Sequence, residues 1–171
     1  MNDWAILDTL LRQHGEQFRD LYLRWQQLEV KANSAITCVG ILLASNAVCL
    51  QLGIAHGTLG KLSVSLACIA VLVTVVLAIF AQRVKGLKAP LSSKVTHDVV
   101  FTWYQLPESD RLLSRLAGEL MTPWDGAIQE LETELEKKGD LVRRAQVALG
   151  AAAVLTVLTL LFAILKELGG K

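Results

Sequence analysis

Along residues 4–32 one row recurs at every seventh position, at Trp4, Leu11, Phe18, Trp25 and Ala32, and a second at Leu7, His14, Leu21 and Leu28. A mean spacing of 3.5 residues predicts a helix that packs lengthwise against another helix. After this heptad the pattern changes. Three stretches carry no charged residue: Ala32 to about Ile54, Leu62 to Gln82, and Ala145 to Leu165. A bilayer core of roughly 30 Å needs about 20 helical residues, and each stretch supplies them. Lys31, Lys61, Arg83, Arg144 and Lys166 stand at their ends, where cations are tolerated and the bilayer centre is not reached.

Between the second and third stretches the signals are helical but interrupted. The helix leaving the second span is expected to end before Pro90, and Ser92-Ser93-Lys94 reads as a loop. The aromatic segment from His97 to Tyr104 is expected to be helical, because a lone strand would have no partner here. Pro107 opens a helix with Leu112, Leu113, Leu116 and Leu120 on one face. Thr122-Pro123 is expected to stop it and start the next, with Thr122 as N-cap and Pro123 as the first helical residue. From Trp124 a stripe of Ile128, Leu131, Leu135, Val142 and Ala145 enters the third span, with Gly139 as a point of bending. The expected fold is an all-α membrane protein of three transmembrane helices whose cytosolic extensions form a small bundle. Its parts are a cytosolic amphipathic helix over 1–31, spans at 32–54, 62–82 and 145–165, and a cytosolic helical region over 83–144. The 1–31 and 123–144 helices are expected to run parallel.

Composition agrees with that division: of 171 residues 53% are hydrophobic, and the surplus sits in the three blocks. Residues 1–31 begin with Asn2-Asp3 and lack the basic start and apolar core of a secretory signal, so the first span is expected to be a retained anchor. Four Lys or Arg residues precede the first span and ten lie between the second and third, so fourteen of the seventeen share one side. That asymmetry predicts a cytosolic N-terminus and an external C-terminus. Cys38, Cys49 and Cys68 all fall inside spans and read as small packing residues.

Candidate chemistry is sparse. The chain has no phosphate-binding glycine loop, no HExxH, no GxSxG and no Cys/His metal spacing, so it is not expected to be an enzyme or to carry a cofactor. The Glu130, Glu132, Glu134 and Glu136 run reads as a solvated helix face, with Glu134 and Lys138 paired one turn apart. Asn33, Thr37, Ser45, Asn46 and Gln51 make the first span the most polar. Asn46 is either glue between helices or, with Thr37, part of a membrane pathway. Gly40 with Ala44, and Ala67, Ala70, Thr74, Ala78 and Ala81, favour close helix packing within or between protomers. His14 is a hydrogen-bonded seam residue or a pH-sensitive contact. Lys94, His97, Trp103, Tyr104, Arg111 and Arg115 combine cations with flat rings, which suits a nucleotide as well as it suits a bundle core beside lipid headgroups.

The order of features resembles a known group. Leu28-Glu29-Val30-Lys31-Ala32 leads into the first span, Val99 to Tyr104 precedes Pro107-Glu108-Ser109-Asp110, and Lys137-Lys138-Gly139-Asp140-Leu141-Val142 leads into the last. This resembles the small transmembrane effectors of bacterial anti-phage systems, above all the Pycsar transmembrane effector family. Glu29, Lys31 and Ala32 match that family's entry to span one, and Phe101, Trp103 and Tyr104 match its phenylalanine-rich segment in part. The resemblance implies a homo-oligomer in the bacterial inner membrane that answers a cyclic nucleotide made by a partner cyclase and disrupts the bilayer, with no nucleic-acid partner. Trp103, Tyr104, Arg111 and Arg115 are then the expected ligand contacts, and Thr37 and Asn46 the membrane pathway. The alternative is a structural anchor or assembly protein that binds a soluble partner through the exposed heptad helix.

Overall fold

The computed structural model describes residues 3–51, 58–84, 99, 101–103, 105 and 113–169. The protein is all-α, with no strand among the described residues. Helix α1 is Asp3–Gln51, α2 is Thr58–Arg83 and α3 is Leu113–Gly169, of 49, 26 and 57 residues. All three are long and apolar enough to cross a membrane. The described residues of the aromatic segment, 99 and 101–103, are helical as expected.

The chain divides into two compact units. The first comprises residues 1–26 and 85–136, and the second, the span unit, comprises 27–84 and 137–171. Helices α1 and α3 contribute to both.

In the first unit the described heptad residues of α1 are buried (Leu7, Leu21, Trp25) or half-buried (Leu11, His14, Phe18). Leu7, Trp103, Leu116 and Leu120 form one apolar cluster, with Leu11, Val99, Ala117 and Met121 packed against it. Leu21 and Trp25 are also buried. Leu7 lies beside Leu116 and Leu120, and His14 beside Asp125, so α1 and α3 run parallel here as expected. Phe18 meets Trp124 edge to face, with ring centroids 5.8 Å apart and planes at 84°.

The span unit is a three-helix bundle whose seams continue the same spacing. On α1 the heptad does not end at Ala32: Ala35, Val39, Asn46 and Cys49 are buried and Leu42 half-buried. On α2 the buried row is Val64, Ala67, Val71, Thr74, Ala78 and Ala81, and on α3 it is Lys138, Val142, Ala145, Ala152, Thr156 and Thr159. Ala32 packs with Ala81 and Val142, and Val39 with Val71 and Ala152, so α2 is antiparallel to both neighbours. The large apolar residues point outwards, among them Ile41 (64% exposed), Leu72 (62%) and Phe162 (70%). This inside-out distribution suits lipid. Lipid gives apolar side chains no reason to hide, so small residues that bring backbones close occupy the seams. The small row on α2 does so within the chain, whereas Gly40 and Ala44 on α1 are exposed.

Two expectations are corrected. The helix from Leu113 does not stop at Thr122: α3 passes through Pro123 without interruption. An interior proline deprives the carbonyl four residues earlier, that of Glu119, of its donor and costs about 3 kcal/mol or more. Packing on both sides outweighs this, with Leu116 and Leu120 buried before the proline and Ile128 and Leu131 after it. Thr122 is no cap, since its hydroxyl donates to the Gly118 carbonyl of its own helix at 2.8 Å. The second concerns Lys138, expected as the one-turn partner of Glu134 beside the solvated glutamate run. It is fully buried, in line with Leu131 and Ala145, and donates to Glu29 across the seam.

Candidate functional site

Asn46, Thr74, Thr156 and Thr159 lie buried in the seams of the span unit. Asn46 is 1% exposed, and Thr156 of α3 donates its hydroxyl to Asn46 Oδ1 at 3.3 Å. The same hydroxyl lies 2.9 Å from the Ala152 carbonyl. One proton is thus divided between two acceptors, and the bond to Asn46 is the longer. Asn46 Nδ2 is buried with no hydrogen-bond partner among the described residues. Beside this pair, Ser63 of α2 and Thr159 of α3 join hydroxyls at 2.7 Å, and Thr159 donates to the Leu155 carbonyl at 2.8 Å. Thr74 donates to the Ala70 carbonyl at 2.9 Å. Hydroxyls can return their proton to the preceding helical turn in this way, but a carboxamide cannot, so among the described polar side chains of these seams Asn46 keeps an unmet donor.

Thr37 sits elsewhere. It is exposed, and its hydroxyl donates to the Asn33 carbonyl at 3.1 Å. Within one chain the two residues expected to mark a membrane pathway therefore lie on different faces of α1. Asn46 holds α1 to α3, while Thr37 faces outwards.

A charged rung closes the other end of the span unit. Lys138 Nζ donates to Glu29 Oε1 at 3.0 Å, with no exposure of the lysine side chain and 49% exposure of the glutamate. Nearby, Gln82 Nε2 donates to Asn33 Oδ1 at 2.5 Å, joining α2 to α1. The rung was legible in principle: Lys138 stands seven residues from Leu131 and from Ala145, in a row that is otherwise core.

In the first unit two of the four expected ligand residues, Trp103 and Arg115, are described. Trp103 is buried in the cluster of Leu7, Leu116 and Leu120. Arg115 is exposed and pairs with Glu119 at 3.4 Å along its own helix. Tyr104 and Arg111, with Lys94 and His97, lie outside the described residues. His14 is a polar residue that bridges helices. Its Nδ1 faces the Leu10 carbonyl and its Nε2 faces Asp125 Oδ1, both at 2.9 Å. The His14 pKa is raised above the ordinary 6.5, first by the Leu10 carbonyl and, against partial burial, also by the bond to and charge of Asp125.

Cys38 is exposed, Cys49 buried and Cys68 half-buried, and all three are free thiols. No cluster of His, Cys, Asp or Glu that could hold a metal occurs among the described residues. No family model, curated protein or solved structure matches this chain.

Proposed function

We propose that the protein is a membrane-disrupting effector that oligomerises in the bacterial inner membrane and permeabilises it when a signal reaches the first unit. In this reading the N-terminus is cytosolic, the C-terminus is outside, and the signal is a cyclic nucleotide or a partner. Three spans are too few to enclose an aqueous path, so permeabilisation requires several copies. The carrying observation is Asn46. A buried donor without an acceptor costs roughly 1–3 kcal/mol, and that cost raises the packed single-chain state relative to one in which water or another chain meets the amide. The same residue that joins α1 to α3 thus favours an opened assembly. Helices α1 and α3 are unbroken between their first-unit and span-unit portions, which gives a signal a route into the spans.

The anchor reading is the less supported one, because Leu7, Leu21 and Trp25 of the heptad row are buried within the chain. The deciding experiment is dye release from liposomes carrying the full-length protein, with and without a panel of cyclic mono- and dinucleotides. Release on addition of one nucleotide, lost in Asn46→Leu with the oligomer intact, is the expected result. Unchanged release in Asn46→Leu would remove Asn46 from the pathway. No release under any condition, including co-reconstitution with a candidate protein partner, would overturn the effector reading.

A further inference from the structure

His14 occupies a position that a heptad normally gives to leucine, and its ring is engaged at both edges. The Leu10 carbonyl can only accept, so Nδ1 must carry a proton to meet it at 2.9 Å. The ionised Asp125 carboxylate also only accepts, so Nε2 must carry a proton as well. Both contacts together require the imidazolium. We infer that His14 and Asp125 form a proton-dependent clamp between α1 and α3 in the first unit, closed when the imidazole holds two protons and weakened when it loses one.

Deprotonation leaves two choices, and each breaks a contact. If Nδ1 keeps the proton, the Nε2 lone pair faces a carboxylate oxygen at hydrogen-bond distance and repels it. If Nε2 keeps it, the bond to the Leu10 carbonyl is lost. Asp125 is 68% exposed, so the freed carboxylate can turn into water while the histidine, 21% exposed, stays near the seam. Among the described residues, Asp125 is the charged group bonded to the ring. On α1 the nearest charges, Arg12 and Glu16, are exposed and bonded to each other at 3.0 Å. On α3 Asp125 is the charged group that meets the ring, and Arg115 and Glu119 are paired together. The described residues of the 99–105 segment, Val99, Phe101, Thr102, Trp103 and Gln105, carry no charge. The Phe18–Trp124 edge contact adjoins the clamp, so loosening it disturbs an aromatic pair that joins the same two helices.

The sign follows from the direction of the shift. A histidine raised on folding contributes fully below its unfolded pKa, near 6.5, and the contribution fades as pH rises through the higher folded value. The clamp is therefore tightest on the acid side and weakens as pH rises through the folded value above 6.5, and it stands whether or not the protein permeabilises membranes.

The test uses the full chain in lipid nanodiscs with isotope-labelled histidine, His14 being assigned by its absence in His14→Gln. The ring titration midpoint is expected above the ordinary value and should fall in Asp125→Asn, an exposed substitution that leaves the apolar seam untouched. Hydrogen exchange of amides in 10–18 and 121–128, corrected for intrinsic rates, should accelerate several-fold through that midpoint in the native chain and stay flat in His14→Gln. A midpoint unmoved by Asp125→Asn, or the same exchange profile in both chains, would overturn the clamp.

Discussion

The Lys138–Glu29 rung should respond asymmetrically to loss of its two partners. Lys138 has no exposed surface, whereas Glu29 keeps half of its own, so nearly all the desolvation falls on the ammonium. Burying such a cation costs several kcal/mol, which the pair must offset. Lys138→Met keeps the apolar stem, worth about 0.8 kcal/mol per methylene, and removes the buried charge. The remaining Glu29 carboxylate recovers water. The expected change is within about 1 kcal/mol of the native chain, or a gain. Glu29→Gln keeps the charge buried and puts a neutral acceptor in place of the carboxylate at this contact. It should cost about 2–3 kcal/mol, just below the range for breaking a buried pair because the amide oxygen still accepts. Lys138→Ala removes the stem too and should cost about 2–5 kcal/mol through the cavity it leaves. Reversible unfolding of the full chain in bicelles would measure all three. If Lys138→Met proves as costly as Lys138→Ala, or Glu29→Gln proves neutral, the argument from buried charge is wrong.

Other substitutions probe the seams independently. Asn46→Leu removes the unmet amide donor and should stabilise the isolated chain by about 1 kcal/mol in the same unfolding assay. Gly139→Ala places a methyl at ordinary contact, 3.9 Å from Leu28 Cδ1, and should stabilise α3 by up to about 1 kcal/mol. Pro123→Ala restores a donor for the Glu119 carbonyl and should raise stability by up to about 3 kcal/mol, checked by the shift in unfolding midpoint. Cys38, exposed on α1, should react with a lipid-soluble maleimide much faster than buried Cys49, as mass spectrometry of the labelled chain would show.

The sequence by itself determined the elements and their environment. Three long uncharged blocks and a heptad are local patterns, and a span needs only length and apolar content to be recognised. The parallel course of α1 and α3 was legible too, from the direction in which each approaches its span. Tertiary structure decided what the polar residues do. Whether Lys138 lies in a solvated stripe or a seam depends on the rotational phase of α3 against α1, which no residue states alone. Counting sevens back from Ala145 would have raised the question, but only Glu29 across the seam answers it. Pro123 shows the same limit in reverse. Its local preference is to start a helix, and the burial of Leu116, Leu120, Ile128 and Leu131 on either side overrules it. Thr37 and Asn46 share a span, a polarity and a sequence neighbourhood, yet one faces outwards and the other is locked against Thr156. Nine residues apart on a helix is two and a half turns, which places the two on opposite faces, and the packing of α3 chose which face to bury.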